Sequence, residues 1–480
     1  MSAGVPGSRL VCSGCGAAPP PEEPFPFRCP AAVRGDDIDH VLVRELQLAG
    51  TRFPAAGEPQ PFVRFRELLH SYRTAIARGM QDEEYVEQVR GLDRAVARVD
   101  GRGFVQTPYA RSDALSEVLG FSSKGGVWVK DETGGVAGSH KGRHLMGVAL
   151  YLLVAELTEL APAARPRLAV ASCGNAALAA AVVARALRRE LSVFVPADAD
   201  PAVLQRLGEL GAEVIRCERA PQDAPGDPCL QRLHEALSAG ALPFTCQGPE
   251  CGLAIEGGQT LVWELVGQHA AAGAAPLRRL IVPVGGGALG SSVARGLWEA
   301  RELGFLRRLP RLHPVQAVGA NPFQRAWERI VEGTLARLAE KGVAPTRGEH
   351  LPGFRGDRSW WTSSHAVAEA VREELAFAAR HRSRFMWPWE ERPRSVASGI
   401  LDDETYDWRA LAWGLFETGG HPLTVADAVL ERACDLAREA TGAPVDATGA
   451  ASLAGLLVLK ELRVLDPGEN VALLFTGAAR

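Results

Sequence analysis

Residues 130–144 read KDETGGVAGSHKGRH, and this stretch decides how the rest of the chain is understood. Ahead of it, Val127-Trp128-Val129-Lys130 is a short apolar run of the kind that forms a buried strand. Gly134, Gly135 and Gly138 then permit a tight turn and a close approach of backbone to a ligand. After Lys141 the apolar residues Leu145, Met146, Val148, Ala149, Leu152 and Leu153 recur at helical spacing. Lys141 is therefore expected at the mouth of a helix that follows a strand. A lysine held in a tight apolar loop loses its proton easily and can attack a carbonyl carbon to form a Schiff base. The plain alternative is a surface lysine in a glycine-rich turn, since lysines are mostly exposed.

Two further strand-to-helix turns have a similar build. Leu168-Ala169-Val170-Ala171 reads as a strand, Ser172-Cys173-Gly174-Asn175 as a tight turn, and Ala176 to Leu187 as an alanine-rich helix. Such a turn presents backbone N–H groups beside the positive end of a helix dipole, where a carboxylate can be held. An ordinary turn with an asparagine cap is the other reading. Farther on, the strand Leu280 to Val284 runs into Gly285-Gly286-Gly287-Ala288-Leu289-Gly290 and a helix from Ser291. Glycines let several N–H groups converge on a phosphate. The loop lacks the Gly-Lys-Ser/Thr ending of a nucleotide-binding P-loop, and no acidic residue stands where a ribose would need one.

The remainder follows the same alternation of strands and helices. Leu191 to Val195, Pro201 to Leu210 and Val214-Ile215 read as strand, helix and strand, which implies a parallel sheet. Phe62 to Val99 reads as two helices broken near Gly79, and Pro228 to Leu237 as another helix. Gly257-Gly258-Gln259-Thr260 introduces an amphipathic segment. Residues 340–395 are irregular and aromatic, with Phe354, Trp360, Trp361, Phe385, Trp387 and Trp389, and read as a lid or a subunit contact. Asp402 to Leu415, Val425 to Ala440 and Gly449 to Leu462 read as helices, and Val471 to Phe475 as a final strand before Thr476-Gly477.

Composition bounds the function. The 480 residues carry a net charge of −4 and a pI near 6.3, which argues against a dedicated nucleic-acid binder. No apolar run is long enough to span a membrane, because Glu156 and Glu159 interrupt Leu145 to Leu160. No basic start followed by an apolar core opens the sequence, and the nine scattered cysteines suit free thiols, so a cytoplasmic location is expected. Only five lysines occur (Lys124, Lys130, Lys141, Lys341, Lys460), which leaves few Schiff-base candidates.

The N-terminal residues differ from the rest. Cys12-x-x-Cys15 and Cys29-Pro30 resemble the first three ligands of a zinc ribbon, but Ala32 stands where the fourth belongs. His40 could complete the set; otherwise the ribbon is degenerate, and no residue is assigned here as a metal ligand. The proline-rich run Ala18 to Phe27 serves as a spacer.

In an open parallel sheet, ligands bind at the carboxyl ends of the strands, where all three turns are expected. A lysine, a carboxylate-holding turn and a phosphate loop together describe pyridoxal phosphate with an amino-acid substrate. From about Pro61 to Gly477 the chain also resembles the fold-type II pyridoxal-phosphate enzymes, which include threonine synthase, serine/threonine dehydratase and the β chain of tryptophan synthase. The resemblance is carried by Gly138 to Lys141, Ser172 to Asn175, Gly257 to Thr260, Val282 to Gly287 and Leu473 to Gly477, in that order. It implies an α/β fold of two open, mostly parallel sheets flanked by helices, with the cofactor in the cleft between them. It further implies that Lys141 forms the Schiff base with pyridoxal 5′-phosphate and acts as catalytic base. Asn175 would bond the phenolic oxygen, and Ser172, Cys173, Gly174, Asn175 and Ala176 would take the substrate carboxylate. Gly285, Gly286, Gly287, Ala288 and Leu289 would hold the phosphate, Thr476 would meet the ring nitrogen, and His140 would adjoin the cofactor.

Threonine synthase is the nearest relative by wording, although His140 and Gly142 replace the Phe and Asp that flank the lysine in many relatives. The expected activity is elimination or replacement at Cβ or Cγ of an amino acid, in a homodimer without membrane or nucleic-acid partners. The alternative is a non-catalytic scaffold that binds the cofactor or an amino acid. The expected organisation is a ribbon-like segment and linker over residues 1–50 and a catalytic unit over 51–480. Within it a smaller lobe, about 142–245, is inserted into a larger one of 100–141 plus 246–480, with 340–395 as lid or interface insertion.

Overall fold

The computed structural model describes residues 7–33, 35–218, 227–343, 365–391 and 393–479. In chain order its strands begin with β1 (Ser8–Cys12), β2 (Leu42–Leu46), β3 (Tyr109–Ser112) and β4 (Gly126–Asp131). Next come β5 (Leu168–Ala171), β6 (Leu191–Pro196), β7 (Glu213–Cys217) and β8 (Leu242–Pro243). The last are β9 (Leu277–Pro283), β10 (Arg311–Ala317), β11 (Leu423–Val425) and β12 (Asn470–Phe475). Among the described residues no helix is long and apolar enough to cross a membrane.

The chain divides into two compact units. The first comprises Met1–Ala32, Val41–Gln106 and Gly135–Thr260; the second comprises Val33–His40, Thr107–Gly134 and Leu261–Arg480. Compared with a lobe of about 142–245, the first unit extends further at both ends and takes up much of the N-terminal region. The reason is packing: the helix His70–Ala77 lies on Lys141–Leu157, and Asp82–Asp100 lies on Asn175–Ala186.

In the first unit β1 and β2 form an antiparallel pair, in which Cys12 faces Leu42. A parallel sheet follows in the order β7-β6-β5-β8. The alanine-rich helix Asn175–Ala186 buries Ala177, Ala179, Ala180, Ala181 and Ala184, and these small side chains let it approach Lys141–Leu157 closely. Gly79, at φ +92°, separates the helices His70–Ala77 and Asp82–Asp100, a conformation that favours glycine.

The second unit carries a six-stranded sheet in the order β11-β10-β9-β12-β4-β3, parallel except for β3 against β4. β12 is buried along its whole length and β4 along all but its last residue, which is why they read as apolar runs without alternation. Ile281, Val315, Leu453, Leu456, Leu473 and Phe475 belong to one continuous core on this sheet.

Two expectations are corrected here. The helix expected from Asp402 starts only at Trp408. Residues before it bond to the glycine loop instead: the Asp407 amide donates to the Gly286 carbonyl at 3.0 Å, and the Thr405 hydroxyl donates to the Gly285 carbonyl at 3.1 Å. Within 340–395, expected to be irregular, His365–Arg380 is a helix that packs on Pro322–Glu340 through Val367, Ala370, Val371 and Leu375. Trp387 and Trp389 stack on Arg325, with centroids 3.8 and 5.0 Å from its guanidinium carbon. Phe385 stacks on Trp408. Phe354, Trp360 and Trp361 lie outside the described residues.

Candidate active site

Lys141 is the first residue of the helix Lys141–Leu157 in the first unit. The turn before it holds Ala137 and Gly138 in the left-handed region, at φ 56° and 69°. For alanine that conformation costs about 1 kcal/mol or more. It is held by the Ala137 amide, which donates to the Asp100 carboxylate at 2.9 Å. Gly142 sits over Val136: an added Cβ would lie 3.1 Å from that residue's Cβ. The close fit accounts for glycine where many relatives carry a larger residue.

Around the lysine the helix is locked from behind. His140 is mostly buried, and its ring meets that of His144 edge-on at 5.8 Å. His144 Nδ1 lies 2.8 Å from the Ala254 carbonyl, so Nδ1 carries the proton. Burial first, then the charges of Lys141 and Arg143, push the His144 pKa down to about 3. Arg143 is buried and donates to Thr260 Oγ1 at 3.1 Å, while Thr260 donates to the Gly257 carbonyl at 2.7 Å. A side chain at Gly257 would run into the Arg143 carbonyl. The Gly257-Gly258-Gln259-Thr260 motif therefore lies inside the helix Ala254–Ala271 as its contact with the lysine helix.

The second turn of this unit follows β5. The Ser172 amide donates to the Phe194 carbonyl at 3.1 Å, and the Gly174 amide to Ser172 Oγ at 3.4 Å. The helix opens at Asn175, and its first intrahelical bond runs from Leu178 to Gly174. Cys173 is exposed and Ser172, Gly174, Asn175 and Ala176 are half-buried, so this helix mouth is accessible to a small anion.

In the second unit the glycine loop follows β9 and opens the helix Ala288–Glu302. Gly287 adopts φ +95°. A Cβ on Gly286 would meet the Tyr406 ring at 2.8 Å, and one on Gly287 would meet Thr405 Cγ2 at 3.0 Å. On Gly285 it would collide with the Asp402 carboxylate. Glycine is thus required at all three positions, and the first amides of a 15-residue helix follow directly. This is a cradle suited to a phosphate. Thr476 is buried just beyond β12. Because Leu473 pairs with Ile281, Thr476 and Gly285 leave the same edge of neighbouring strands. Asp402, Thr405 and Tyr406 escaped the sequence reading: Asp402-Asp403-Glu404 resembles the acidic first turn of a helix, and no motif marks its contact with a loop over 110 residues earlier.

Lys130, the other lysine of the opening stretch, has a different place. Its ammonium is wholly buried in the second unit, bonded to Glu264, Gln268 and the Thr107 carbonyl at 2.7, 2.7 and 2.9 Å.

Parallel sheets whose strands lead into a lysine-bearing turn, a small-residue turn and a glycine loop, each opening a helix, have the architecture of the fold-type II class of pyridoxal-phosphate enzymes. The family model described as "Pyridoxal-phosphate dependent enzyme" matches residues 102–382, and the chain belongs to that family, whose cofactor is pyridoxal phosphate. No curated protein sequence matches. Among solved structures, the chain is similar to a threonine deaminase from T.th. at 21% identity and TM-score 0.53, covering 82% of this chain and 98% of that one. A fungal L-serine ammonia-lyase from Rhizomucor miehei matches at 20% identity and TM-score 0.52, over 78% of this chain and 94% of that one. Maize serine racemase matches at 16% identity and TM-score 0.52, over 81% and 93%. At these identities the likeness concerns the fold.

Proposed function

We propose that this chain is a pyridoxal-phosphate-dependent lyase that eliminates a substituent from Cβ of a small amino acid, of the serine/threonine dehydratase or ammonia-lyase type. The observation that carries this reading is Lys141 opening one helix while the Ser172–Ala176 turn opens the helix packed beside it. When bound, the cofactor supplies an electron sink for a carbanion at Cα. Lys141 would hold the cofactor aldehyde as a Schiff base, and its amine, released when substrate displaces it, would take the Cα proton. The amides of Ser172 to Ala176 would hold the substrate carboxylate, and the Asn175 amide would donate to the phenolic oxygen. Gly285 to Leu289 would hold the phosphate. A hydroxyl at Thr476, unlike a carboxylate, would leave the ring nitrogen largely unprotonated, which would suit elimination over transamination.

One side chain favours this version over threonine synthase chemistry at Cγ, which releases phosphate. Arg143, a candidate for a second anion site, is buried and bonded to Thr260. Arg355 and Arg358 lie outside the described residues. The threonine deaminase and ammonia-lyase folds lend further support, and nine cysteines with no disulfide among the described residues suit a cytoplasmic location.

The test is product analysis of the purified holoenzyme with single amino acids. A 2-oxo acid and ammonia from serine or threonine is the expected outcome. Phosphate release from O-phosphohomoserine would replace it with the synthase reading, and binding without any product would leave a non-catalytic scaffold.

A further inference from the structure

The geometry points to a closed four-ligand zinc site made by Cys12, Cys15, Cys29 and His40. One ligand atom from each residue lies within 4.8 Å of all the others. The Cys15 and Cys29 sulfurs are 3.6 Å apart. A tetrahedron with zinc–sulfur bonds of about 2.3 Å has edges of about 3.8 Å, so the spacing is that of two ligands of one ion. A disulfide would bring the sulfurs to about 2.05 Å.

The backbone shapes this arrangement locally. The Cys12 amide donates to the Ala17 carbonyl at 2.7 Å and the Gly16 amide to the Cys12 carbonyl at 2.8 Å, with Gly16 at φ +80°. This tight loop turns Cys15 back towards Cys12. His40 is one peptide bond from Val41, whose carbonyl accepts from Ser13 N at 2.9 Å and from Ser13 Oγ at 3.0 Å. Ser13 lies between the first two cysteines, so the histidine's position follows from a short chain path.

The histidine also has its own orienting partner. Its Nε2 is 3.0 Å from Asp36 Oδ2, which assigns Nδ1 to the metal in a carboxylate–imidazole–metal series. The His40 side chain is 9% exposed, and Cys12 and Cys29 are buried. Among the described residues, the buried apolar cluster around the sulfurs is small: Cys12, Cys29 and Leu42 with Ala17 against it. Three thiolates and one imidazole leave no open position, so the zinc is structural and not catalytic. The ribbon is therefore not degenerate: its fourth ligand comes eleven positions after Cys29 instead of three.

The site also braces the lysine helix. Cys12 pairs with Leu42 across the hairpin, Arg44 donates to Gln259 at 2.8 Å, and Gly257 abuts the carbonyl of Arg143, two positions past Lys141. That consequence for catalysis rests on the proposed role of Lys141; the metal site itself does not.

Elemental mass spectrometry of the full-length holoprotein, purified without chelator, tests the proposal independently of activity. One zinc per chain is expected, falling at least tenfold in Cys29→Ser. Should that variant not fold, wild-type protein grown with cobalt serves instead. It should show the visible bands and sulfur-to-metal charge transfer of a tetrahedral thiolate site, and His40→Ala should shift them while the cofactor absorption stays unchanged. Zinc below one-tenth per chain with all three thiols rapidly labelled would overturn the site. A Cys15–Cys29 disulfide found by peptide mapping would do the same.

Discussion

Lys130 Nζ lies 2.7 Å from Glu264 Oε2, and both side chains are buried to 1% exposure or less. The pair joins β4 to the helix Ala254–Ala271 and leaves Lys130 with three acceptors. A buried charge deprived of its partner is costly, by about 3–5 kcal/mol. Lys130→Met should therefore lower unfolding stability by that amount in urea titration while Lys141 still takes up the cofactor. Lys130→Met combined with Glu264→Leu should recover much of the loss, because the orphaned carboxylate is gone.

Lys141→Ala should leave the fold intact and remove covalent attachment. Borohydride reduction of wild-type protein followed by peptide mass spectrometry should place the pyridoxyl group on Lys141. Elimination should fall by about 10²–10⁴-fold or more in the variant, the loss typical of a positioned proton-transfer group. Attachment found at another lysine would defeat the assignment.

Stability should decline as pH drops below 6.5. Burial, with nearby cationic side chains, holds His70 and His144 at about 3 and His421 at about 4. Between those values and 6.5 the unfolded chain binds a proton at each site that the folded chain does not. Stability therefore rises with pH through this window, is fully present above 6.5, and is lost on acidification. The slope is about 1.4 kcal/mol per pH unit for each histidine near pH 5. Burial lowers His269 and His313 too, so thermal melts across roughly pH 4.5–7.5 should show the slope and His421→Asn should flatten it by about a fifth to a quarter.

Asp402→Asn removes the charge that lies against Gly285. The affinity of the apoprotein for pyridoxal phosphate, read from a cofactor titration, should rise by roughly tenfold, the effect of about 1.4 kcal/mol of relieved repulsion. An unchanged affinity would mean that this loop does not hold the phosphate.

Much of the fold was legible because short-range chemistry wrote it. β4, β5, β9 and β12 are apolar runs that end in small-residue turns, and the helices after Lys141 and Asn175 show their period directly. What was not legible depends on partners far away in sequence. Asp402 to Asp407 has helical composition, yet its bonds to Gly285 and Gly286 hold it open. The helix His365–Arg380 was hidden by the surrounding aromatic residues, whose stacking on Arg325 no local pattern announces. His40, which the sequence offers as a fourth ligand in place of Ala32, is brought with its ligand atom within 4.8 Å of the three cysteine sulfurs.

β12 lies between β9 and β4 although it is the last of the described strands to be made. While the ribosome is still adding residues, β9 and β4 have no neighbour to join them, and their apolar edges stay open until position 475 emerges. Contacts of such long sequence separation form slowly and leave the nascent chain prone to sticking. Expression yield should therefore respond to chaperone supply and growth temperature more than to codon changes early in the gene.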